Sequence, residues 1–199
     1  DISEEGFTSK AILFLEEWNQ LVVGDLAGQL FIFDISTLQL IHFEECEDSI
    51  QVLKYVPVKG ILIIGGINFI QTYNLDKQKL IKKTKTSFEA LNGLDYIPDD
   101  QLIVCGGLPE NSLEFYQLDS LKLVEKWQLP DISKGITHLS FINTTKTIAL
   151  TSADDRSIYV FRKGKKEYIQ KIISPHKNAI VTFEHKTDSK GDFLVTASV

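Results

Sequence analysis

Methionine is absent from all 199 residues, and the sequence opens on Asp1. Such a chain is expected to be a piece of a longer translated product. Cysteine occurs only at Cys46 and Cys105. Two thiols so far apart do not make the disulfide framework of a small secreted domain, so both are expected to be reduced, as in a cytosolic-type compartment. Long hydrophobic runs are missing as well. The most apolar stretch, residues 60–70, is too short to span a bilayer and is split by Gly65-Gly66. No charged-then-apolar leader stands at the start. Positive charge is nearly missing from residues 1–50, which hold eleven Asp/Glu and one Lys, within a net charge of −6 for the whole chain. That balance argues against a general nucleic-acid binder. At 43% hydrophobic and 24% charged residues the composition excludes disordered and collagen-like classes.

Helical periodicity is scarce too, and what replaces it is a repeat. A short apolar strand meets a turn with Gly or Asp, then a second strand that closes on an aromatic and a polar residue. It appears at residues 20–34, 60–74, 101–117 and 146–162, and begins a fifth time at 192–198. Aligning Gly24, Gly65, Gly106, Ser152 and Ala197 gives steps of 41, 41, 46 and 45 residues. Ahead of each unit, apolar residues two apart mark another strand: Leu13/Leu15, Leu53/Tyr55, Leu94/Tyr96, Leu139/Phe141 and Val181/Phe183. Behind each complete unit lies an outer strand, at residues 38–43, 79–83, 121–127 and 168–173. Turn chemistry keeps the same phase, with Pro57 to Gly60, Pro98 to Gln101 and Asn143 to Lys146 in one slot. The expected fold is all-β, in four-stranded repeats at about 9–45, 49–86, 90–130 and 135–175, with an incomplete one at 179–199.

This repeat resembles that of the WD40 family of β-propellers, over essentially the whole chain. In that family the third strand of each repeat closes on Trp-Asp. Here the slot holds Phe33-Asp34, Tyr73-Asn74, Tyr116-Gln117 and Phe161-Arg162. A large planar ring there fills the space between neighbouring blades. The family also carries Gly-His before the first strand, where Ser-Pro-His176 stands here. The resemblance implies that His176 pairs with a turn Asp and a strand hydroxyl of its own blade. A propeller closes with about 4–8 four-stranded blades. The expectation is therefore about four and a half WD40-type blades, of a ring of about seven completed outside these residues.

Chemistry-bearing patterns are few. Ser152, Asp154, Asp155 and His176 include the residue types of a hydrolase triad, but turn and cap positions of blades account for them. Asp99-Asp100 and Asp154-Asp155 sit in hairpin turns, which Asp favours for backbone reasons. His42 and Cys46 lie four apart beside an acidic run, Glu44-Glu45-Cys46-Glu47-Asp48, read as a solvated loop between blades with contact to a basic peptide as its sharper use. Gly65-Gly66 and Gly106-Gly107 lack the phosphate-loop pattern. Two lysine runs, 77–85 and 162–171, map to outer strands and the turns before them, where lysine discourages edge-to-edge pairing. Their alternative use is contact with anionic lipid or nucleic acid. The function expected is a non-catalytic, cytoplasmic platform within a multiprotein complex, binding other proteins. No cofactor or metal, and neither nucleic acid nor membrane, is expected as a ligand. The alternative is a substrate-recruiting module of a larger enzyme or regulatory protein.

Overall fold

The computed structural model describes residues 8–152, 155, 157–173, 176–178, 180–188 and 191–198. Residues 1–7, Asp154, the Ser-Pro before His176 and the Val181 side chain lie outside them. The chain forms two compact units, which meet in sequence at Lys85 and Thr86. In the first unit, β1 (Ser9–Leu15), β2 (Gln20–Asp25), β3 (Gln29–Asp34) and β4 (Leu40–Glu45) make one antiparallel sheet in chain order. Strands β5 (Ile50–Val56), β6 (Ile61–Gly66), β7 (Phe69–Asn74) and β8 (Lys79–Lys85) make the next. The second unit has a sheet of β9 (Ala90–Ile97), β10 (Leu102–Leu108), β11 (Ser112–Gln117) and β12 (Leu123–Gln128). A fourth follows, with β13 (Ile136–Ile142), β14 (Thr147–Ser152), β15 (Ser157–Arg162) and β16 (Tyr168–Ile173). A two-stranded sheet, β17 (Ile180–Asp188) and β18 (Gly191–Ser198), completes the described residues. The fold is all-β, in four-stranded antiparallel sheets consistent with blades of a partial WD40 β-propeller.

Backbone geometry repeats with the sequence. Each turn between first and second strands ends on a left-handed residue: Asn19, Gly60, Gln101 and Lys146. Two of these turns are short 3-10 helices, Glu16–Trp18 and Pro57–Lys59. Each is closed by the N–H of the left-handed residue donating three residues back, at 3.1 Å. The steps between these four residues are 41, 41 and 45. Pairing to the first strand adds a second marker. Beside a bulge in every sheet, Gly24 faces Ala11, Gly65 faces Val52, Gly106 faces Gly93, Thr151 faces His138 and Ala197 faces Thr182. Thr151, and not Ser152, is thus the equivalent residue. The bulge is common to all five sheets, and across it Ser152 faces Ile136 as Asp25 faces Ser9 and Gly66 faces Ile50, so Ser152 corresponds to the residue after each of those glycines.

The outer strands start later than expected in two sheets. Leu38 and Leu121 precede β4 and β12, with φ of 57° and 53°. Their amides close the turn on Asp34 O and Gln117 O, both at 2.8 Å.

Cores form where one sheet stacks on the next. We call the face holding Ile12, Leu53, Leu94, Leu139 and Phe183 the leading face, and its opposite the trailing face. In the first unit, Ala11, Leu15, Val22, Leu30 and Ile32 on the trailing face of β1–β3 pack with Leu53, Leu62, Ile64 and Tyr73 on the leading face of β5–β7. In the second unit, Ile97, Val104, Leu113, Phe115 and Trp127 pack the same way with Leu139, Phe141, Ile148, Leu150 and Phe161. Ile142, Ala149, Ile158 and Val160 then meet Phe183 and Leu194. Trailing face on leading face is the rule in all three.

Candidate interaction surface

Strand ends and turns decide which side chains are available. Phe33, Tyr73, Tyr116 and Phe161 occupy one register position, each opposite its second strand at Leu21, Leu62, Ile103 and Ile148. A bulge in the pairing to the outer strand falls just before each ring. Tyr73, Tyr116 and Phe161 are buried, and Phe33 is half-buried. Their polar neighbours organise the next turn. Asp34 Oδ1 accepts the Thr37 N–H at 2.8 Å, and Asn74 Oδ1 accepts the Lys77 N–H at 2.7 Å. Gln117 donates to Gln101 O at 3.2 Å, while Arg162 is exposed. His176 Nε2 lies 3.0 Å from Thr196 Oγ1, a hydroxyl on β18.

Among the described residues, Ser152 and Asp155 of the triad types are engaged elsewhere. Ser152 Oγ donates to Ser133 O at 2.6 Å. Asp155 takes the Ser157 N–H at 2.6 Å, the Tyr159 hydroxyl at 2.5 Å and the Lys171 ammonium at 3.1 Å. Burial pushes that carboxyl up, but those hydrogen bonds outweigh it and hold it below its ordinary value. Asp99 and Asp100 are paired to Lys146, at 2.6 Å, and to Lys163.

The acidic run ends β4 and enters the loop before β5, with Glu45, Glu47 and Asp48 exposed as expected and Cys46 buried. Cys46 belongs to the core of the first unit, and burial, with Glu44 second, pushes its thiol up to about 11. A neutral buried thiol is a poor metal ligand. His42 stands on β4 with its ring 5.8 Å from that of Tyr73 and 3.6 Å from Glu44. Among the described residues no three His, Cys, Asp or Glu are grouped to hold a metal ion. Glu47 is paired to Lys83 at 2.7 Å, and Asp48 caps the Ser49 amide. The lysine runs are engaged as well: Lys83 with Glu47, Lys163 with Asp100, Lys166 with Glu125 and Lys171 with Asp155. Gly66 and Gly107 serve close packing. A Cβ on Gly107 would meet Ala90 O at 2.1 Å, and one on Gly66 would meet Ser49 O at 2.3 Å.

A surface that the sequence reading passed over lies in the first unit. Glu17 and Trp18, Tyr55, Pro57 to Gly60 and Asp76 line an open groove of about 530 Å3. Trp18 Nε1–H donates to the Tyr55 hydroxyl at 2.7 Å. With their polar groups turned on each other, the two rings offer apolar faces to the groove. Val58 stands at the rim, 82% exposed, beside the carboxylates of Glu17 and Asp76. An aromatic floor, an aliphatic rim and two acids suit an apolar side chain flanked by basic ones. The available signal was positional. Trp18 and Lys59 close equivalent 3-10 turns 41 residues apart.

Comparison with known proteins adds a setting for this groove. No family model matches the chain. Over 119 residues it is 27% identical to the "Ribosome biogenesis protein BOP1 homolog" of Dictyostelium discoideum, covering 60% of this chain and 14% of that protein. Over 121 residues it is 27% identical to the "Ribosome biogenesis protein ERB1" of Coprinopsis cinerea, covering 60% of this chain and 15% of that one. The chain thus spans a small fraction of the length of the curated relatives it matches. Among the described residues, no helix is long and apolar enough to cross a membrane.

Proposed function

We propose that the protein is a non-catalytic WD40-type interaction platform that holds partner proteins in an assembly serving ribosome biogenesis. The observation that carries this reading is the Trp18–Tyr55 groove, an open, aromatic-floored surface built by turns on a rigid sheet scaffold. The two ribosome biogenesis relatives supply the process. The repeats divide at 9–45, 49–86, 90–130, 135–175 and 179–199, and each contributes turns to the binding faces. Pairing of Lys83, Lys163, Lys166 and Lys171 with carboxylates favours protein over anionic lipid as the ligand.

Sedimentation of the tagged protein from its source cells tests the reading. It is expected to run with ribosomal precursor particles, and Val58→Glu with Trp18→Ala is expected to release most of it to the top of the gradient. Parent protein found only as free protein, cytoplasmic or otherwise, would refute the assignment.

A further inference from the structure

The Trp18–Tyr55 groove has a counterpart by register in the second unit, and there the acids are met by lysines of the chain itself. The left-handed residues Asn19, Gly60, Gln101 and Lys146 hold one position in the four sheets. Counting back from them, Glu17 corresponds to Asp99 and Trp18 to Asp100. The residue whose amide donates to each left-handed carbonyl marks a second position: Ile35, Leu75, Leu118 and Lys163. In the second unit, Asp99 beside β10 takes the Lys146 ammonium from the turn before β14 at 2.6 Å, and its neighbour Asp100 takes that of Lys163. Acids presented by one sheet's turn are thus neutralised by lysines from the turns of the next.

The first unit keeps the acid but not the lysines. Glu17 stands at the position of Asp99, while Gly60 takes the place of Lys146 and Leu75 that of Lys163. The space over Gly60 holds a carboxylate instead: a Cβ there would lie 3.1 Å from Asp76 Oδ2. Charge at this spot is therefore inverted. The lining carries two carboxylates, of Glu17 and Asp76, and one ammonium, that of Lys59. Among the described residues neither carboxylate is paired with a cation. Trp18 replaces Asp100, so a ring held by the Tyr55 hydroxyl stands where the second acid would be. A ring face beside carboxylates attracts an ammonium through its quadrupole and covers the alkyl stem that carries it. The same carboxylates repel a phosphate, which disfavours nucleic acid and anionic lipid in this groove.

We propose that the groove seats a lysine side chain of a partner protein, its ammonium against the carboxylates of Glu17 and Asp76 and its alkyl stem on the Trp18 ring. This rests on the interaction-platform reading and names what that platform recognises. The partner's lysine takes the part that Lys146 plays within the second unit, and exposed Val58 at the rim meets an apolar residue beside it. The fold already accommodates lysine at the left-handed position, at Lys146 with φ of 54°. Gly60→Lys would therefore supply the missing ammonium from within and close the site.

The test is a titration of the native full-length protein, labelled with fluorotryptophan and followed by fluorine NMR. Trp18→Phe assigns the Trp18 resonance, and Trp127, buried in the core of the second unit, is the internal control. The probes are the peptide Gly-Ser-Leu-Lys-Val-Ser-Gly and its copy with norleucine in place of lysine. The lysine peptide is expected to shift the Trp18 resonance saturably, to bind about fivefold tighter than the norleucine peptide, and to weaken with added salt. Glu17→Gln is expected to erase most of that preference. Gly60→Lys is expected to abolish the shift while the Trp127 resonance stays in place. Glu17 is exposed, so its variant keeps the test valid even where Gly60→Lys fails to fold. Equal affinity for the two peptides, no shift at millimolar peptide, or an undiminished preference in Glu17→Gln would each overturn the proposal. Sedimentation of the same preparation with ribosomal precursors reports separately on the proposed function. Lysine-selective binding by a protein absent from those particles would overturn that function and leave this site standing.

Discussion

Asp95 is the buried polar group on which the stacking of the third and fourth sheets most depends. It lies on β9, 4% exposed. Its Oδ1 accepts the Tyr96 N–H at 2.7 Å, and its Oδ2 accepts the Phe141 N–H at 2.8 Å and the Ser140 hydroxyl at 3.3 Å. Strand β13 pairs with β14 alone, so the Phe141 amide points away from its own sheet and finds its acceptor in the neighbouring one. Asp95→Asn keeps the shape and replaces one acceptor oxygen by an NH2. Whichever way the amide turns, a donor then faces a backbone donor. The variant loses a charge-assisted hydrogen bond and leaves a buried N–H unsatisfied, which costs roughly 2–3 kcal/mol. On a chain of this size that is roughly 5–10 °C in Tm. Urea denaturation followed by circular dichroism measures it, with Ser140→Ala as a control expected to lose less than about 1 kcal/mol. Hydrogen exchange at the Phe141 amide should rise in Asp95→Asn alone. A midpoint unchanged from the parent would show that this carboxylate does not tie the two sheets together.

Three further outcomes follow from particular contacts. Phe161, 1% exposed in the core of the second unit, should cost roughly 3–5 kcal/mol when cut to alanine, and an unchanged denaturation midpoint would contradict its register. Leu38 and Leu121 share a left-handed backbone but differ in burial, 78% against 3% exposed. Leu38→Gly should therefore stabilise by roughly 0.5–1 kcal/mol, whereas Leu121→Gly should lose roughly 1–2 kcal/mol as burial outweighs relieved strain; denaturation curves of the same sign for both would reject this account. Burial pushes the Glu114 carboxyl up, but Tyr116, Ser87 and Lys126 outweigh it and hold it below 4.5. A lowered folded value adds stability that is complete above 4.5 and fades as pH falls through that lower value. The stability gap between parent and Glu114→Gln should accordingly shrink between pH 7 and pH 3, and a constant gap in urea midpoints would refute the linkage.

How much of this was legible in the sequence depended on whether the relevant physics was local. Strand pairs and turns were, because side-chain alternation and the Pro57, Pro98 and Asn143 turns act within a few residues of themselves. The all-β repeat followed from them. The one-residue slip at Thr151 was not visible, since no glycine marks the position there as Gly24, Gly65 and Gly106 do in the first three repeats, and only the pairing with His138 identifies it. Nor were the starts of β4 and β12, because nothing in Leu38 or Leu121 announces a left-handed backbone that a cross-turn hydrogen bond imposes. Cys46 was misplaced for a related reason. Four acidic neighbours made its stretch look solvated, yet the strand that precedes it carries the thiol into a core made by another sheet. The Trp18–Tyr55 groove and the Asp95 tie share that property, each joining residues of successive repeats 37 and 46 apart. In a repeat fold the sequence of one unit specifies its own sheet, while binding surfaces and polar ties arise between units. The Phe31–Phe43 pair could be found by column alignment, because there one repeat departs from the lysine that its three counterparts hold.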